Sequence, residues 1–160
     1  MIDTCILKDL FDYSPQGGLI RKKSLTNSKA GVLIGFGTKN GYRCAMVNHK
    51  TYPLHRLVWM WHGNAATNAL DHINGDPSDN RIENLRIATR SQNMCNRKTP
   101  THNTTGAKGV IWKKDKRLWC VRIGVCGVRK QIGYFEDLEL AELVAIEARN
   151  KYHGAFANHL

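Results

Sequence analysis

Hydrophobic residues in the first third of the chain occur in short groups between glycine-rich turns. Six glycines fall within residues 17–41, and this composition predicts short strands joined by turns rather than helices. Residues 42–47 and 51–54, separated by three polar residues, predict a β-hairpin. The apolar and aromatic stretch 56–62, followed by Gly63, predicts a short buried helix.

The last third of the chain changes from strand-like to helix-like periodicity. Residues 110–113, 118–125 and 128–134 predict three strands, and a helix follows with Asp137 as its N-cap and Gly154 at its end. The apolar side chains of the middle strand share one face, which must pack against that helix; they are Trp119, Val121 and Ile123. The predicted class is therefore α+β, with a three-stranded antiparallel sheet on one helix at the C-terminal end.

A polar segment without periodicity, residues 98–106, contains Pro100 and predicts a linker between two domains. We expect the first domain at residues 1–97, with its most informative part at about 69–97, and the second domain at residues 107–160.

The chain is strongly basic. Its 160 residues include 24 Lys and Arg against 13 Asp and Glu, which gives a formal net charge of +11 and a pI of about 9.7. Such a charge favours a polyanionic partner. The longest apolar run, residues 57–61, is too short for a membrane span, and the first five residues lack the basic and apolar segments of a secretory signal. We expect a cytoplasmic protein with no membrane partner.

Charge in the predicted C-terminal domain is sorted by element. Residues 104–135 carry eight basic residues against one acidic residue, whereas residues 136–160 carry five acidic against two basic. The sheet should therefore present a cationic face opposite an acidic helix. The candidate contact residues on that face are Lys113, Arg122, Arg129 and Gln131. A basic sheet face is sometimes only solvated, but the sorting of charge by element favours contact with DNA.

The five cysteines are scattered along the chain and form no C-x-x-C pair. This pattern argues against a disulfide framework and against a zinc knuckle. We expect them to be small buried hydrophobic residues or unreactive thiols.

The most informative stretch is residues 70–93, which predicts a β-loop-β-α unit. Asp71, at the end of the first strand, offers a carboxylate oxygen, and Asn93, on the helix, offers an amide oxygen. This pair of hard donors suits Mg²⁺ better than zinc. A histidine such as His72 can take a proton from water while the ion neutralises charge on a phosphate, which amounts to phosphodiester hydrolysis. The alternatives are a turn role for Asp71 and a helix-capping role for Asn93.

A series of short motifs lies within this unit, and one more precedes it. The motifs within the unit are Asp71-His72, Gly75, Asn80-Arg81, Glu83-Asn84-Leu85-Arg86 and Asn93, and the one upstream is His55-Arg56. Together they resemble the HNH nuclease family, also called ββα-metal or His-Me finger nucleases. The similarity is to the branch common among phage-encoded and homing endonucleases, and it covers most of residues 10–97. The resemblance implies a strand-rich N-terminal region followed by a ββα-metal finger, whose core lies at about residues 69–97.

By this resemblance, Asp71 and Asn93 would be the metal ligands and His72 the general base. Asn84 would be the middle asparagine that ties the loop and holds His72 in orientation. The family often has histidine at the position of Asn93, and the asparagine variant looks like the subset that uses a single Mg²⁺ or Mn²⁺ ion. Family chemistry implies cleavage to a 5′-phosphate and a 3′-hydroxyl.

The upstream pair has two interpretations. Arg56 would grip the scissile phosphate, while His55 either joins the catalytic site or forms a hydrogen bond within the core. The other histidines lack partners at ligand spacing and are expected to be surface or structural residues; they are His49, His62, His102, His153 and His159.

The C-terminal domain resembles the AP2 domain, which plant transcription factors carry and which also occurs fused to phage HNH nucleases. The resemblance rests on Gly109-Val110, residues 119–123, residues 132–135 and Tyr152-His153-Gly154. It implies that the three-stranded sheet lies in the DNA major groove. Ile111 and Gly124 stand where plant members tend to carry base-reading arginine, so no sequence preference is carried across.

We therefore predict a metal-dependent DNA endonuclease of the HNH family, encoded by a phage and acting in the host cytoplasm, without an organic cofactor. A monomer should nick double-stranded DNA, and a double-strand break would need two copies in a weak homodimer. The alternative is a non-catalytic DNA-binding regulator that retains the finger as a scaffold. An RNA-directed nuclease is less favoured, because the major groove of A-form RNA is too narrow for the sheet.

Overall fold

The computed structural model describes residues 2–24, 29–67, 69–99, 103 and 105–159. The predicted linker at 98–106 falls partly outside these residues, and His102 falls wholly outside them. Helices alternate with antiparallel strands, which confirms the predicted α+β class. None of the helices in the described part of the chain combines the length and apolarity that crossing a bilayer requires.

The chain divides into two compact units, Met1–Ile87 and Ala88–Leu160. The first unit contains α1 (Thr4–Leu10), β1 (Phe11–Ser14), β2 (Gly18–Arg21), β3 (Phe36–Gly37), β4 (Arg43–Val47), β5 (Lys50–Pro53), α2 (Leu54–Trp61), β6 (Leu70–His72), a 3₁₀ turn (Ile82–Asn84) and β7 (Leu85–Ile87). The second unit contains α3 (Arg90–Cys95), β8 (Val110–Lys113), β9 (Leu118–Val125), β10 (Val128–Phe135), α4 (Leu138–His153) and a 3₁₀ turn (Gly154–Phe156). The domain boundaries predicted at residues 97 and 106 stay a prediction.

Helix α1 contradicts the expectation that only strands and turns build the first fifty residues. Asp3 caps the helix by accepting a hydrogen bond from the backbone N–H of Cys5 at 3.1 Å, and Leu7 is completely buried. The prediction rested on glycine content, but no glycine precedes Gly17. Local turn propensity therefore did not apply to this segment.

The core of the first unit is built by α1, α2 and the strands that precede α2. Its largest fully buried side chains are Leu7, Phe11, Leu19, Leu54, Leu57 and Val58. The predicted hairpin is confirmed, since β4 pairs with β5 around Asn48 and His49, both with positive φ. Two positive φ values in a two-residue loop match the twist of the flanking strands. The predicted buried helix is confirmed as α2.

In the second unit, β8, β9 and β10 form an antiparallel sheet in the order β10-β9-β8, and α4 packs mainly against β9. Val121 and Ala145 are among the buried residues at this contact. Asp137 caps α4 by accepting a hydrogen bond from the Leu140 N–H at 2.7 Å, and Gly154 ends it with a φ of +53°. The three strands and both predicted ends of this helix are therefore confirmed.

Candidate active site

A short antiparallel ladder positions the predicted catalytic residues. Strands β6 and β7 pair through Leu70 with Ile87, Asp71 with Arg86 and His72 with Leu85. Although Asp71 and His72 follow one another on a strand, both are buried, with 4% and 7% of their surface exposed. Burial of two adjacent polar side chains requires polar partners on both faces of the ladder.

The partner of Asp71 is the arginine directly opposite on β7. Nε and Nη2 of Arg86 both donate to Oδ2 of Asp71, at 3.0 and 2.9 Å. The Asp71 side chain is 5% exposed and that of Arg86 17%. The guanidinium therefore balances a buried negative charge at the end of β6.

The partner of His72 is Asn80, in the loop that connects β6 with β7. Oδ1 of Asn80 lies 3.1 Å from Nε2 of His72, while Nδ2 of Asn80 donates to the Ser78 carbonyl at 3.0 Å. Because the amide group is oriented by Ser78, its oxygen faces the imidazole and accepts from Nε2–H. In the neutral tautomer that this selects, Nδ1 of His72 carries the basic lone pair.

Close packing against the β1–β2 turn positions the backbone at Asn80. Gly17 has a φ of +83°, and a Cβ atom at this position would lie 2.5 Å from the Arg81 nitrogen and 2.8 Å from the Asn80 carbonyl carbon. Only glycine permits both this conformation and this approach. Asn80 itself is completely buried.

Asn84 ties the same loop together. Its Oδ1 accepts from the Asn74 N–H at 3.0 Å, and its Nδ2 donates to Oδ1 of Asn74 at 3.0 Å and to the Asp79 carbonyl at 2.8 Å. The loop is closed at the surface by Arg81, which binds both oxygens of Asp79 at 2.8 and 2.7 Å. These contacts with Arg81 hold the pKa of Asp79 at about 2.

Asn84 thus orients the loop that carries Asn80, and the side chain of Asn80 contacts His72. The two asparagines have separate tasks in this structure, since one closes the loop and the other contacts the imidazole.

The rings of His55 and Tyr42 lie close to the ring of His72. The ring centroid of His55, on α2, lies 5.2 Å from that of His72, and Tyr42 lies 5.8 and 6.0 Å from the two rings. Burial, together with the nearby His72 and Arg56, lowers the pKa of His55 to about 4. His55 is therefore neutral at neutral pH. Among the residues that the structure describes, Nδ1 of His55 and Nε of Arg56 are buried without a hydrogen-bond partner.

The predicted metal ligands lie in different compact units. Asp71 belongs to the first unit, and Asn93 is an exposed residue of α3 in the second. Over the described residues, no group of three or more His, Cys, Asp or Glu side chains is arranged to hold a metal. A donor set of one carboxylate and one amide still suits Mg²⁺, because this ion keeps several waters and takes phosphate oxygens. Thr89, rather than Asn93, caps α3 through a reciprocal pair with Gln92.

The candidate DNA-contact residues share one face of the second sheet. Register pairs Gln131 with Arg122, Arg129 with Gly124 and Lys113 with Leu118, which places all four candidates on the face away from Val121. Arg129 and Gln131 are exposed, whereas Lys113 and Arg122 are half-buried. The acidic residues of the opposite side are exposed, and they are Glu136, Asp137, Glu139, Glu142 and Glu147.

The remaining histidines have other surroundings. His62 contacts the Val58 carbonyl at 2.9 Å, His153 contacts the Gly124 carbonyl at 2.8 Å, and His159 accepts from Nε of Arg149 at 3.2 Å. His49 is exposed in the β4–β5 turn. All five cysteines are free thiols; one of them, Cys120, is buried, whereas Cys5 and Cys126 are exposed.

Two residues of this site received no role from the sequence. The sequence pattern places Tyr42 only in a hairpin strand, and no local pattern places it beside His55 and His72. Asn80 was recognised as part of an Asn-Arg pair, and its position eight residues after His72 in a turn-rich loop was the available signal.

Residues 52–95 match the protein family described as HNH endonuclease. Ninety residues of the chain are 40% identical to "Protein 3.8" of Escherichia phage T7, covering 55% of this chain and 72% of that protein. No solved structure matches the chain. The family match indicates a nuclease or DNA-binding function, and the phage relative is consistent with a phage protein.

Proposed function

We propose, from the premise that this chain belongs to the family of phage Protein 3.8 and carries an HNH endonuclease domain at residues 52–95, that it is a metal-dependent DNA endonuclease. It would hydrolyse phosphodiester bonds in double-stranded DNA and leave a 5′-phosphate and a 3′-hydroxyl. The catalytic unit would lie within residues 1–97, a linker at 98–106, and an AP2-like DNA-binding domain at 107–160.

The observation that carries this proposal is the contact between His72 and Asn80. Because Oδ1 of Asn80 accepts from Nε2–H, the lone pair of the neutral imidazole resides on Nδ1. A general base needs a neutral imidazole held in one tautomer and one orientation. The contact with the buried side chain of Asn80 fixes the tautomer and the orientation of the His72 ring.

Asp71 and Asn93 would hold the divalent ion, Mg²⁺ or Mn²⁺. When bound, the ion would neutralise charge on the scissile phosphate and on the departing oxygen. The Asp71 carboxylate is the hard donor that the ion prefers, and the Arg86 guanidinium holds it in place from the opposite strand. The amide of Asn93 adds no charge, so binding of the ion in the absence of DNA should be weak.

His55 and Arg56 support the same centre from the start of α2. The neutral ring of His55 packs edge-on against His72 and adds no positive charge beside the base. The cationic group of Arg56 would grip a non-bridging oxygen of the scissile phosphate. Its buried Nε has no hydrogen-bond partner among the residues that the structure describes, which supports this role.

The second sheet would hold the substrate. By register, one face of the sheet carries the cationic groups of Lys113, Arg122 and Arg129 and the amide of Gln131, so these groups can follow a DNA backbone or groove together. The acidic residues of α4 lie on the opposite side of the sheet and disfavour binding in the reverse orientation. A monomer with one catalytic centre should nick, and a weak homodimer would be needed for a double-strand break.

The second candidate is a DNA-binding regulator without catalysis. The ion pair between Asp71 and Arg86 favours this alternative, since it satisfies the carboxylate without any metal. Conversion of supercoiled plasmid to the open circular form separates the two functions. The endonuclease should nick with Mg²⁺ or Mn²⁺ and stop with EDTA, whereas a regulator should bind the same DNA and leave it supercoiled under both conditions.

A further inference from the structure

The second compact unit contains a cavity whose lining includes Arg122 and Arg129, two of the candidate DNA-contact residues, together with residues that have no role in the proposed cleavage reaction. It has a volume of about 730 Å³ and lies between α3, α4 and the distal part of the β9–β10 hairpin. This volume falls in the range of sites that bind small molecules. All of its lining residues belong to Ala88–Leu160.

One wall of the cavity is apolar. Val121 and Ile123 contribute from β9, and Ala145 and Ala148 contribute from α4; each of the four is at least nine-tenths buried. Met94 of α3 also lines the cavity. The small alanines leave room beside the sheet, and the resulting wall suits a flat, uncharged body.

The cavity lining also carries five cationic side chains, and two of them, Lys108 and Arg149, lie close to one another; the other three are Arg90, Arg122 and Arg129. Arg149 is 5% exposed, and its Nε and Nη1 bind His159 and the Lys108 carbonyl. The Lys108 ammonium donates to the carbonyl oxygens of Arg97 and Asn158. Among the described residues, neither cation forms an ion pair, and the cavity lining contains no Asp or Glu.

Lys108 and Arg149 lie close enough to repel each other, while the charge of Glu142 partly offsets that of Arg149. Burial and the neighbouring Arg149 lower the pKa of Lys108 to about 8. Burial also lowers the pKa of Arg149. A bound phosphate would offset the repulsion and accept hydrogen bonds from both groups, since charge-assisted hydrogen bonds to phosphate are among the stronger polar contacts.

A third polar group in the lining has an unsatisfied atom. The Nε2 atom of His153 contacts the Gly124 carbonyl, so this nitrogen carries the proton and Nδ1 is an acceptor. Within the described part of the chain, Nδ1 of His153 is buried and has no hydrogen-bond partner. An N–H group on a ligand would satisfy it, and each DNA base carries at least one such donor.

We propose that this cavity binds a 5′-phosphorylated deoxynucleotide, with the phosphate at Lys108 and Arg149 and the base against the apolar wall. The choice of this ligand rests on the proposed function, because cleavage would generate 5′-phosphate ends. The same chemistry has two sources, a free nucleotide and the terminal nucleotide of a cut strand. In the second case the site retains the product end after cleavage.

Calorimetry on the full chain, without metal, tests the site with deoxyadenosine 5′-monophosphate as the probe. The nucleotide should bind, while deoxyadenosine and inorganic phosphate should each bind at least about tenfold more weakly. Deoxyadenosine lacks the phosphate that Lys108 and Arg149 would bind, and inorganic phosphate lacks the base that would lie against the apolar wall. Lys108→Gln should weaken nucleotide binding by a similar factor. Ala148→Leu, which fills the cavity without removing a charge, should abolish it. Lys151→Gln removes an exposed charge of α4 outside the cavity and should leave binding unchanged.

A second pair of probes distinguishes the two sources. A nicked duplex with a 5′-phosphate at the nick should bind more tightly than the same duplex with a 5′-hydroxyl if the site retains product ends, and equally if it takes only free nucleotides. The His72→Ala variant should bind the nucleotide as tightly as the unaltered chain. Loss of nicking with retained nucleotide binding would therefore be an effect on the catalytic centre and not on the cavity. Failure of the nucleotide to bind, or equal binding by Ala148→Leu, overturns the proposal whether or not the chain nicks DNA.

Discussion

Arg86 lies directly opposite Asp71 in the β6–β7 ladder, and its Nε and Nη2 both donate to Oδ2 of that carboxylate. A cross-strand pair of this kind depends on register, since a shift of one residue would turn the guanidinium to the other face. The pair is mostly shielded from solvent. Removal of either side chain would therefore leave the other as a buried charge without its counter-charge.

Arg86→Met should strongly destabilise the first unit, because it leaves Asp71 as a buried charge without its guanidinium partner. We expect a loss of about 3 kcal/mol in the free energy of unfolding, measured by urea denaturation. The double variant Asp71→Asn with Arg86→Met removes both charges and should recover part of that loss while remaining inactive in nicking. A double variant as unstable as Arg86→Met would show that the ion pair is not the cause.

His72→Ala should reduce plasmid nicking by about 100-fold to 10,000-fold, the usual contribution of a general base. Binding of the same plasmid fragment, measured by fluorescence anisotropy, should be retained. His49→Asn is the matched control, because His49 is an exposed histidine in a left-handed turn conformation that asparagine tolerates. Retained nicking by His72→Ala would remove this residue from the mechanism.

Asn80→Asp should change the pH dependence of nicking rather than only its rate. A carboxylate that accepts from Nε2–H stabilises the protonated imidazole, so the acid limb of the pH–rate profile should move to higher pH by about one unit. Asn64→Asp adds the same charge at a half-buried residue that binds the Trp59 carbonyl, and its profile should stay in place. A uniform drop in rate with an unmoved profile would indicate that Asn80 is only structural.

Stability should fall in acid because of His55. Its pKa is 6.5 in an ordinary environment and about 4 in the folded chain. Between these values the unfolded chain binds a proton that the folded chain does not, so the free energy of unfolding decreases as the pH falls from 6.5 to 4. The loss should reach at most about 3 kcal/mol. His55→Asn should flatten this part of the stability curve relative to the unaltered chain, and an unchanged slope would contradict the assignment.

Arg129→Gln and Lys113→Gln should each reduce DNA affinity and lower the slope of log affinity against log salt by about 1, as expected for one lost phosphate contact. Lys151→Gln removes the same charge from α4 and should change the slope little. If all three variants behave alike, DNA is attracted by net charge and the sheet face is not the contact surface.

Local signals in the sequence determined much of the architecture. Strands β8 to β10, the hairpin of β4 and β5, and both ends of α4 follow from alternation, turn residues and capping, which act over a few residues. The motif residues Asp71, His72 and Asn84 could also be identified, since they lie within fourteen consecutive residues of one loop-strand unit. The glycine content of the first fifty residues does not predict helix α1, because the helix lies in a capped segment that precedes the first glycine.

The tertiary structure alone decided how the polar groups are paired. Tyr42, His55 and His72 come from three separate elements, and their contact depends on how a hairpin and a helix pack around the β6–β7 unit. The tautomer of His72 follows from its contact with Asn80, whose backbone is held by the close approach of Gly17. The sequence by itself determined which chemical groups the protein has, because residue identity and short-range propensity are local properties. It could not determine which proton donor faces which acceptor, because those contacts depend on burial and packing between segments that are distant along the chain.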